Sequence, residues 1–372
     1  MSSNISKQEA SEWAKTAGKK AAEMAEFEGV KRSIYEVGTQ GLFQSVLEDG
    51  GLGEPLSLSL LPSFGYGCQN GGLLLSYGAH CFAVSMILKK FSSNNKNSKI
   101  LDDLISGASV GAFAATEADS GSDVMALKTR CKESSNSYKI NGSKTYVTNA
   151  PIADCFIVFA TKDERLNFRG VSAFIIPSDT KGITVTTDKT VFVDSDVSLG
   201  TVYFDDVVIS KNNLIGQKNG GWKIFNYALI CERVLMSGFF VGIMQKLIDT
   251  SIDHLKETSR FGEKLSSNPI LMERIVTMKR AEYTSRLLFN DACRNLFKGN
   301  ITDDCAAMTK LHVSESLFSV SISHLRNFGG ASFLGKNAAA STLLHSASSL
   351  IYSGTSDIQR QIIANACEKY ET

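Results

Sequence analysis

Apolar and polar positions divide the chain into three stretches of different period. Up to about Ser109 the spacing is mostly helical. Residues 10–28 are rich in Ala, Glu and Lys, and residues 73–91 carry a long apolar face. A Gly-rich turn is expected at 48–55 and a solvated loop at 92–97. From about Val110 to Gly216 the period shortens to alternating runs separated by turn signals. Residues 137–148 read as strand, Asn141-Gly142 turn, strand, a hairpin signal. Residues 156–160 and 171–176 read as buried strands, and 182–187 and 200–207 alternate more openly, so a compact antiparallel β domain is expected. After Gly220-Gly221 helical spacing returns and lasts to the end, through 222–257, 270–297, 304–327 and 338–351.

This order predicts an N-terminal helical domain at 1–109, a middle β domain at 110–216 and a C-terminal helical bundle at 217–372. It is not a run of alternating βα units. The glycine cluster at 65–71 also lacks the spacing and the flanking strand of a dinucleotide fingerprint, so no nicotinamide site is expected.

Composition changes the picture mainly by exclusion. The 372 residues suffice for two or three domains, and 43% hydrophobic with 21% charged residues is ordinary for a globular protein. A formal net charge of +1 gives no electrostatic reason to expect nucleic acid or an anionic membrane as partner. The first nine residues have neither an apolar signal core nor the Arg-rich, acid-free character of a transit peptide, and no apolar run is read as membrane-spanning. The eight cysteines are scattered singly, which points to reduced thiols in a cytoplasmic protein. The histidines show no metal-ligand spacing, so no metal is expected.

Two places carry candidate chemistry. In Phe113-Ala114-Ala115-Thr116-Glu117-Ala118-Asp119-Ser120-Gly121-Ser122-Asp123, Ser and Gly in a loop leaving a strand can turn backbone N–H groups toward a phosphate. The same residues also suit an ordinary Asx or Ser turn. Glu232 is an acid inside an apolar helical run. It reads either as a carboxylate satisfied by Arg233, Lys223 or a partner on another helix, or as a general base.

Several blocks, in order, resemble the acyl-CoA dehydrogenase family. They are Thr116-Glu117 through Gly121-Ser122-Asp123, then Gly142-Ser143-Lys144 through Val147-Thr148-Asn149, Leu214-Ile215-Gly216 through Trp222, Phe328-Gly329-Gly330, and Gly354-Thr355-Ser356. The resemblance covers nearly the whole chain. It implies FAD-dependent α,β-dehydrogenation of a short or branched acyl-CoA, or of an acyl or aminoacyl group on an acyl carrier protein, by α-proton abstraction and β-hydride transfer to the flavin. Many members carry their catalytic glutamate where this chain has Ser353, while Glu232 stands where the isovaleryl-CoA and long-chain branches carry theirs. The implied roles are therefore Glu232 as base and the Ser353 backbone N–H as donor to the thioester oxygen.

By the same resemblance Phe113, Ala115 and Thr116, Gly121 and Ser122, and Tyr146 and Thr148 contact FAD, with Ser122 and Arg233 also at the substrate. Thr355 and Asp357 fall toward the adenine half. Arg260, Phe261, Gly329 and Gly330 would be supplied by a neighbouring subunit of a homodimer or homotetramer. Three positions depart from the family pattern. Thr258 takes the place of an arginine, Arg326 that of a glutamine, and His345-Ser346 that of Arg-Asp. The acyl carrier is implied to be CoA or an acyl carrier protein, and the acceptor an electron-transferring flavoprotein or another oxidant. An oxygen-using oxidase or a non-catalytic binding subunit of the same fold are the alternatives.

Overall fold

Helices, then a sheet, then helices again follow one another along the chain in this computed structural model, which describes residues 6–48, 55–92, 95–187, 198–334 and 339–369. The first helices are α1 (Lys7–Glu28), α2 (Val30–Thr39), α3 (Leu42–Leu47), α4 (Ser57–Cys68), α5 (Gly71–Tyr77), α6 (Met86–Phe91) and α7 (Asn95–Ile105). A π-helical turn, Gly78–Ser85, joins α5 to α6, so the apolar stretch expected at 73–91 forms one continuous helical run. Inside that turn His80 is fully buried. Its Nε2 faces the Leu104 carbonyl at 2.9 Å and its Nδ1 accepts the Gly111 N–H at 3.1 Å. The loop expected at 92–97 is shorter than the sequence suggested. Asn97 is helical and buried, with its amide donating to Ser92 Oγ at 3.0 Å; residues 93–94, like 49–54 of the expected Gly-rich turn, lie outside the described residues.

The strands are β1 (Gly111–Ala114), β2 (Arg130–Glu133), β3 (Ser137–Thr148), β4 (Cys155–Thr161), β5 (Val171–Pro177), β6 (Ile183–Thr187), β7 (Leu199–Ser210) and β8 (Leu214–Ile215). They form one sheet in the order β6-β7-β3-β2-β4-β5-β8, with β1 joined to β4. Two expectations need correction here. The sheet is not purely antiparallel, because β1 and a single pair of β2 run parallel to β4. The expected hairpin at Asn141-Gly142 is a β-bulge instead, and β3 runs straight through it along β7. The Asn141 amide locks this bulge, accepting the Asp206 N–H at 2.9 Å and donating to Asp206 Oδ1 at 3.1 Å. β4 is buried along its whole length because alternate residues enter two different cores, Ile157 and Phe159 one of them, Phe156 and Val158 the other.

The remaining chain gives α8 (Gly221–Glu257), a short hairpin of β9 (Ser259–Arg260) and β10 (Glu263–Lys264), α9 (Pro269–Lys298), α10 (Asp303–Phe328), α11 (Ala339–Ser349) and α12 (Ser356–Lys369). Asn268 caps α9 by accepting the Ile270 N–H at 2.9 Å, with Pro269 at the first helical position; Gly299, φ 75°, ends it in the left-handed region. α11 begins at Ala339, and Ala338 of the expected helix lies outside the described residues. Contrary to the reading of no spanning run, the helical runs Gly71–Phe91 and Gly221–Glu257 are long and apolar enough to cross a membrane. Yet 89% of each apolar window is buried inside the protein, which identifies both as core helices.

Two compact units emerge, each assembled from separated segments. One contains residues up to Glu23, 48–74 and 233–372; the other contains 24–47 and 75–232. In the first, Gly65, Gly238 and Gly242 let α4 and α8 approach so closely that an added Cβ would strike the facing helix. All eight cysteines are free thiols, of which Cys367 is exposed and Cys305 half-buried, while the other six are buried.

Candidate active site

Within the second unit, β3 positions the loop that follows β1. The Thr145 N–H donates to the Thr116 carbonyl at 2.9 Å. Lys144, whose side chain is fully buried, donates from Nζ to Glu117 Oε1 at 2.7 Å and to the Ala115 carbonyl at 3.0 Å. Glu117 also accepts the N–H groups of Lys128 at 2.6 Å and Thr129 at 3.0 Å, so one carboxylate ties both ends of the loop. Burial pushes the Glu117 carboxyl up, but the Lys144 charge and these donors outweigh it and hold the group below its ordinary value. Burial pulls the Lys144 ammonium below its ordinary value, opposed by the Glu117 charge beside it.

What this strap holds out is open. Gly121 and Ser122 are exposed, and a Cβ added at Gly121 would meet nothing within 4 Å. Ser120 makes a tight turn beside them, its Oγ donating to the Asp123 carbonyl at 2.6 Å, so the turn reading and the open backbone coexist. On β3, Tyr146 sits at φ 53° with its side chain 73% exposed, an uncommon backbone for an aromatic residue. Phe113, Ala115, Thr116 and Thr148 are half-buried.

The first turns of α8 belong to the same unit. Phe225, Leu229 and Glu232 fall on one helical face, at i, i+4 and i+7. Glu232 is buried, 8% exposed. The preceding Cys231 is hydrogen-bonded to the Tyr227 hydroxyl, and burial pushes its thiol up to about 12. A chain of rings runs inward from the surface. Phe168 lies 6.1 Å from Trp222, Trp222 stacks on Phe225 at 5.6 Å, and Phe225 meets Phe159 at 5.4 Å and Phe113 at 6.0 Å. Together with Ala115, Val124, Leu127 and Val171, four of these rings, Phe113 excepted, line an apolar pocket.

In the first unit, Ser353 holds a left-handed conformation at φ 56° in the turn before α12. Its carbonyl accepts Arg233 Nε at 3.0 Å and Gln359 Nε2 at 3.2 Å. No acceptor takes up its own N–H among the described residues. Arg233 is buried, 3% exposed, and its Nε is directed at this turn. The Thr355 hydroxyl accepts the Ile358 N–H at 3.2 Å and so caps α12, and Asp357 is exposed beside Arg360 at 3.3 Å.

At the C-terminal end of α10 in that unit, cations gather. Arg274 donates to Asn327 Oδ1 at 2.8 Å, and burial first, then the like charge of Arg326, holds its guanidinium below the usual arginine value. His254 stacks on Phe328 at 4.1 Å and feels the charge of Arg260. Gly329, at φ 58° and ψ −134°, takes a backbone conformation reserved for glycine, and neither it nor Gly330 has a neighbour that an added Cβ would touch. Phe261 is fully exposed at φ 55°. Sequence reasoning named Arg260 as a candidate and Arg326 only as a departure from the family pattern; it did not name Arg274, which the packing of α9 on α10 brings to Asn327. It also quoted Glu117 and Lys144 only as parts of a signature, not as a buried pair.

Residues 112–207 match the family described as acyl-CoA dehydrogenase, middle domain, and residues 219–367 match acyl-CoA dehydrogenase, C-terminal domain. The chain belongs to the acyl-CoA dehydrogenase family. It is an oxidoreductase of that family, whose helical, β and helical regions it reproduces. Among relatives, the L-prolyl-[peptidyl-carrier protein] dehydrogenases of Pseudomonas fluorescens and a Serratia species are 32% and 33% identical, over 84% and 82% of this chain and 83% and 79% of theirs. The crystal structure of the prolyl acyl carrier protein oxidase AnaB superposes with a TM-score of 0.92 at 25% identity, covering 98% of this chain and 99% of AnaB. PigA with FAD and proline gives a TM-score of 0.90 at 29% identity, covering 99% of each chain.

Proposed function

We propose that this member of the family is an FAD-dependent dehydrogenase acting on an acyl or aminoacyl thioester held by a carrier protein, with Glu232 as its base. The observation that carries this reading is the burial of Glu232, 8% exposed, on the α8 face that also presents Phe225 and Leu229. An apolar wall excludes water from the proton transfer. The chain's own residues fit FAD. Tyr146 offers an exposed ring on a constrained backbone, Thr116 and Thr148 offer half-buried hydroxyls, and the open backbone at Gly121-Ser122 suits a phosphate. FAD, when bound, supplies the acceptor for the hydride that leaves Cβ.

Glu232 takes the proton from Cα. By the family resemblance the Ser353 N–H is the donor to the thioester carbonyl oxygen, and Arg233, whose Nε donates to the Ser353 carbonyl, is a positioning residue for that turn. A second copy of the chain would bring Arg260, Arg274, Arg326 and the open Gly329-Gly330 backbone to the FAD diphosphate. Exposed Val276, Tyr283 and Leu287, on one face of α9, support such an assembly. The carrier reading follows the prolyl-carrier relatives at 32% and 33% identity.

The test is anaerobic bleaching of the purified yellow protein by prolyl-loaded peptidyl carrier protein. Glu232→Gln should retain the flavin spectrum and lose bleaching, and a variant that still bleaches would overturn the assignment. The likeness to the oxidase AnaB, at a TM-score of 0.92, favours one second reading in which oxygen is the acceptor. Stoichiometric peroxide release during aerobic turnover would support it.

A further inference from the structure

Around the aromatic pocket, charge is distributed unevenly. Four acids nearby are already engaged in ion pairs. Glu164 pairs with Arg130 at 2.7 Å, Asp163 with Arg165 at 2.7 Å, Asp119 with Lys128 at 2.9 Å, and Glu133 with both Lys211 and Lys218. Arg169, Lys162 and Lys223 are exposed and make no ion pair among the described residues. The Lys162 N–H donates to the Gly170 carbonyl at 3.1 Å, so Lys162 and Arg169 stand at the two sides of one loop base. Arg169 lies over the ring of Phe168, 5.6 Å from its centroid, and Phe168 is the outermost ring of the ladder that continues through Trp222 to Phe225. Lys223 follows Trp222 directly on α8. The pocket mouth is therefore apolar inside and positively charged outside, with the surplus borne by side chains that have no acid to satisfy them.

Glu232 lies ten residues beyond Trp222 on α8, about 15 Å along the helix axis. A substrate whose reacting carbon is to reach that depth while its anchor stays at the rim must have a long, slender arm. The phosphopantetheine arm of a carrier protein has that form, and its phosphodiester is an anion at the end that remains outside. The free cations are spread over two elements, the β4–β5 loop and the first turn of α8. That spacing suits the broad acidic face of a protein better than a compact nucleotide.

We propose that Lys162, Arg169 and Lys223, around the exposed edge of Phe168, form the docking surface for an acidic carrier protein whose arm enters over Phe168 and Trp222. This rests on the carrier reading given under Proposed function and names where the partner binds. The three cations act on encounter and on holding the carrier, not on the bonds that change, so they belong to KM and its salt dependence.

The test compares wild type with the Arg169→Glu, Lys223→Glu double variant on two probes bearing the same prolyl group, one loaded on a peptidyl carrier protein and one on free pantetheine. Both side chains are exposed, and an unchanged flavin spectrum checks folding. The expected result is a KM for the carrier-bound probe raised tenfold or more, with its salt dependence flattened, kcat unchanged, and the pantetheine thioester turned over as by wild type. An unchanged carrier KM overturns the proposal, as does an equal loss on both probes, which would put these residues in the arm pocket. If wild type itself turns over only CoA esters and no carrier-bound probe, the carrier reading falls first and the docking surface with it.

Discussion

At the scale of single residues, the buried pair Lys144–Glu117 ties the candidate cofactor loop at both ends. Lys144 is fully buried and Glu117 nearly so, and the carboxylate takes three donors in all. Removing one member of such a pair leaves the other charged and uncompensated, at a cost of about 3–5 kcal/mol. Lys144→Met should therefore lower the urea midpoint markedly and weaken FAD binding. The double variant Lys144→Met, Glu117→Gln should recover most of the stability, and equal instability of the single and double variants would contradict the pairing. This pair was legible in the sequence only as two letters of a signature. Nothing in the spacing between positions 117 and 144 shows that a fold will bring them within 2.7 Å. Glu232 was more legible, because an acid flanked by Ile230, Val234 and Leu235 has few helical positions where it meets water, and it is indeed buried. Three candidate positions, Tyr146, Phe261 and Ser353, share a left-handed backbone that no local sequence signal announces. Non-glycine residues are held there only by their surroundings.

Among elements, the instructive case is β3. The Asn141-Gly142 pair is a strong local turn signal, yet both halves of the strand hydrogen-bond to the same partner, β7, and the turn is absorbed as a bulge. The sequence could not reveal this because the deciding contact, Asn141 with Asp206, spans 65 positions. Gly142, at φ 145°, permits the bulge, and a Cβ there would lie 2.6 Å from Thr129 Oγ1 and 2.8 Å from its Cα. Gly142→Val should cost about 1–3 kcal/mol through this clash. Because Thr129 also donates its N–H to Glu117, the variant should loosen the 115–129 loop as well. Denaturant unfolding would check the first effect and FAD affinity the second. The long helices α8, α9 and α10 were read closely because their periodicity is long and their ends are marked, as by Asn268-Pro269 before α9, whereas the shorter α2, α3, α4, α7 and α12 were not delimited.

Taken as a whole, the molecule has two compact units, and each contains a histidine buried in the neutral form. Burial holds both His80 and His324 down at about 4. A histidine whose folded value lies below its ordinary 6.5 binds its proton first in the unfolded chain. Stability is therefore complete above pH 6.5 and is lost as pH falls toward 4, by about 3 kcal/mol for each histidine at the lower end. Urea midpoints measured from pH 7 down to pH 4.5 should fall steadily, and a flat profile would show that neither ring is held neutral. The helix, sheet, helix order was legible from periodicity alone. The assembly of each unit from distant segments was not, because it depends on which helices pack together and not on the pattern within any one of them.

The thiols give the chain a practical property. Alkylation needs the thiolate, and burial pushes Cys155 and Cys231 up to about 12 and Cys131 up to about 11, while Cys68 and Cys293 are shielded by packing. Cys367, near the end of α12, is the exposed one. A maleimide dye added at neutral pH should therefore attach there first. The unaltered protein would then carry a fluorescent reporter at a known place, remote in sequence from every residue of the proposed carrier face.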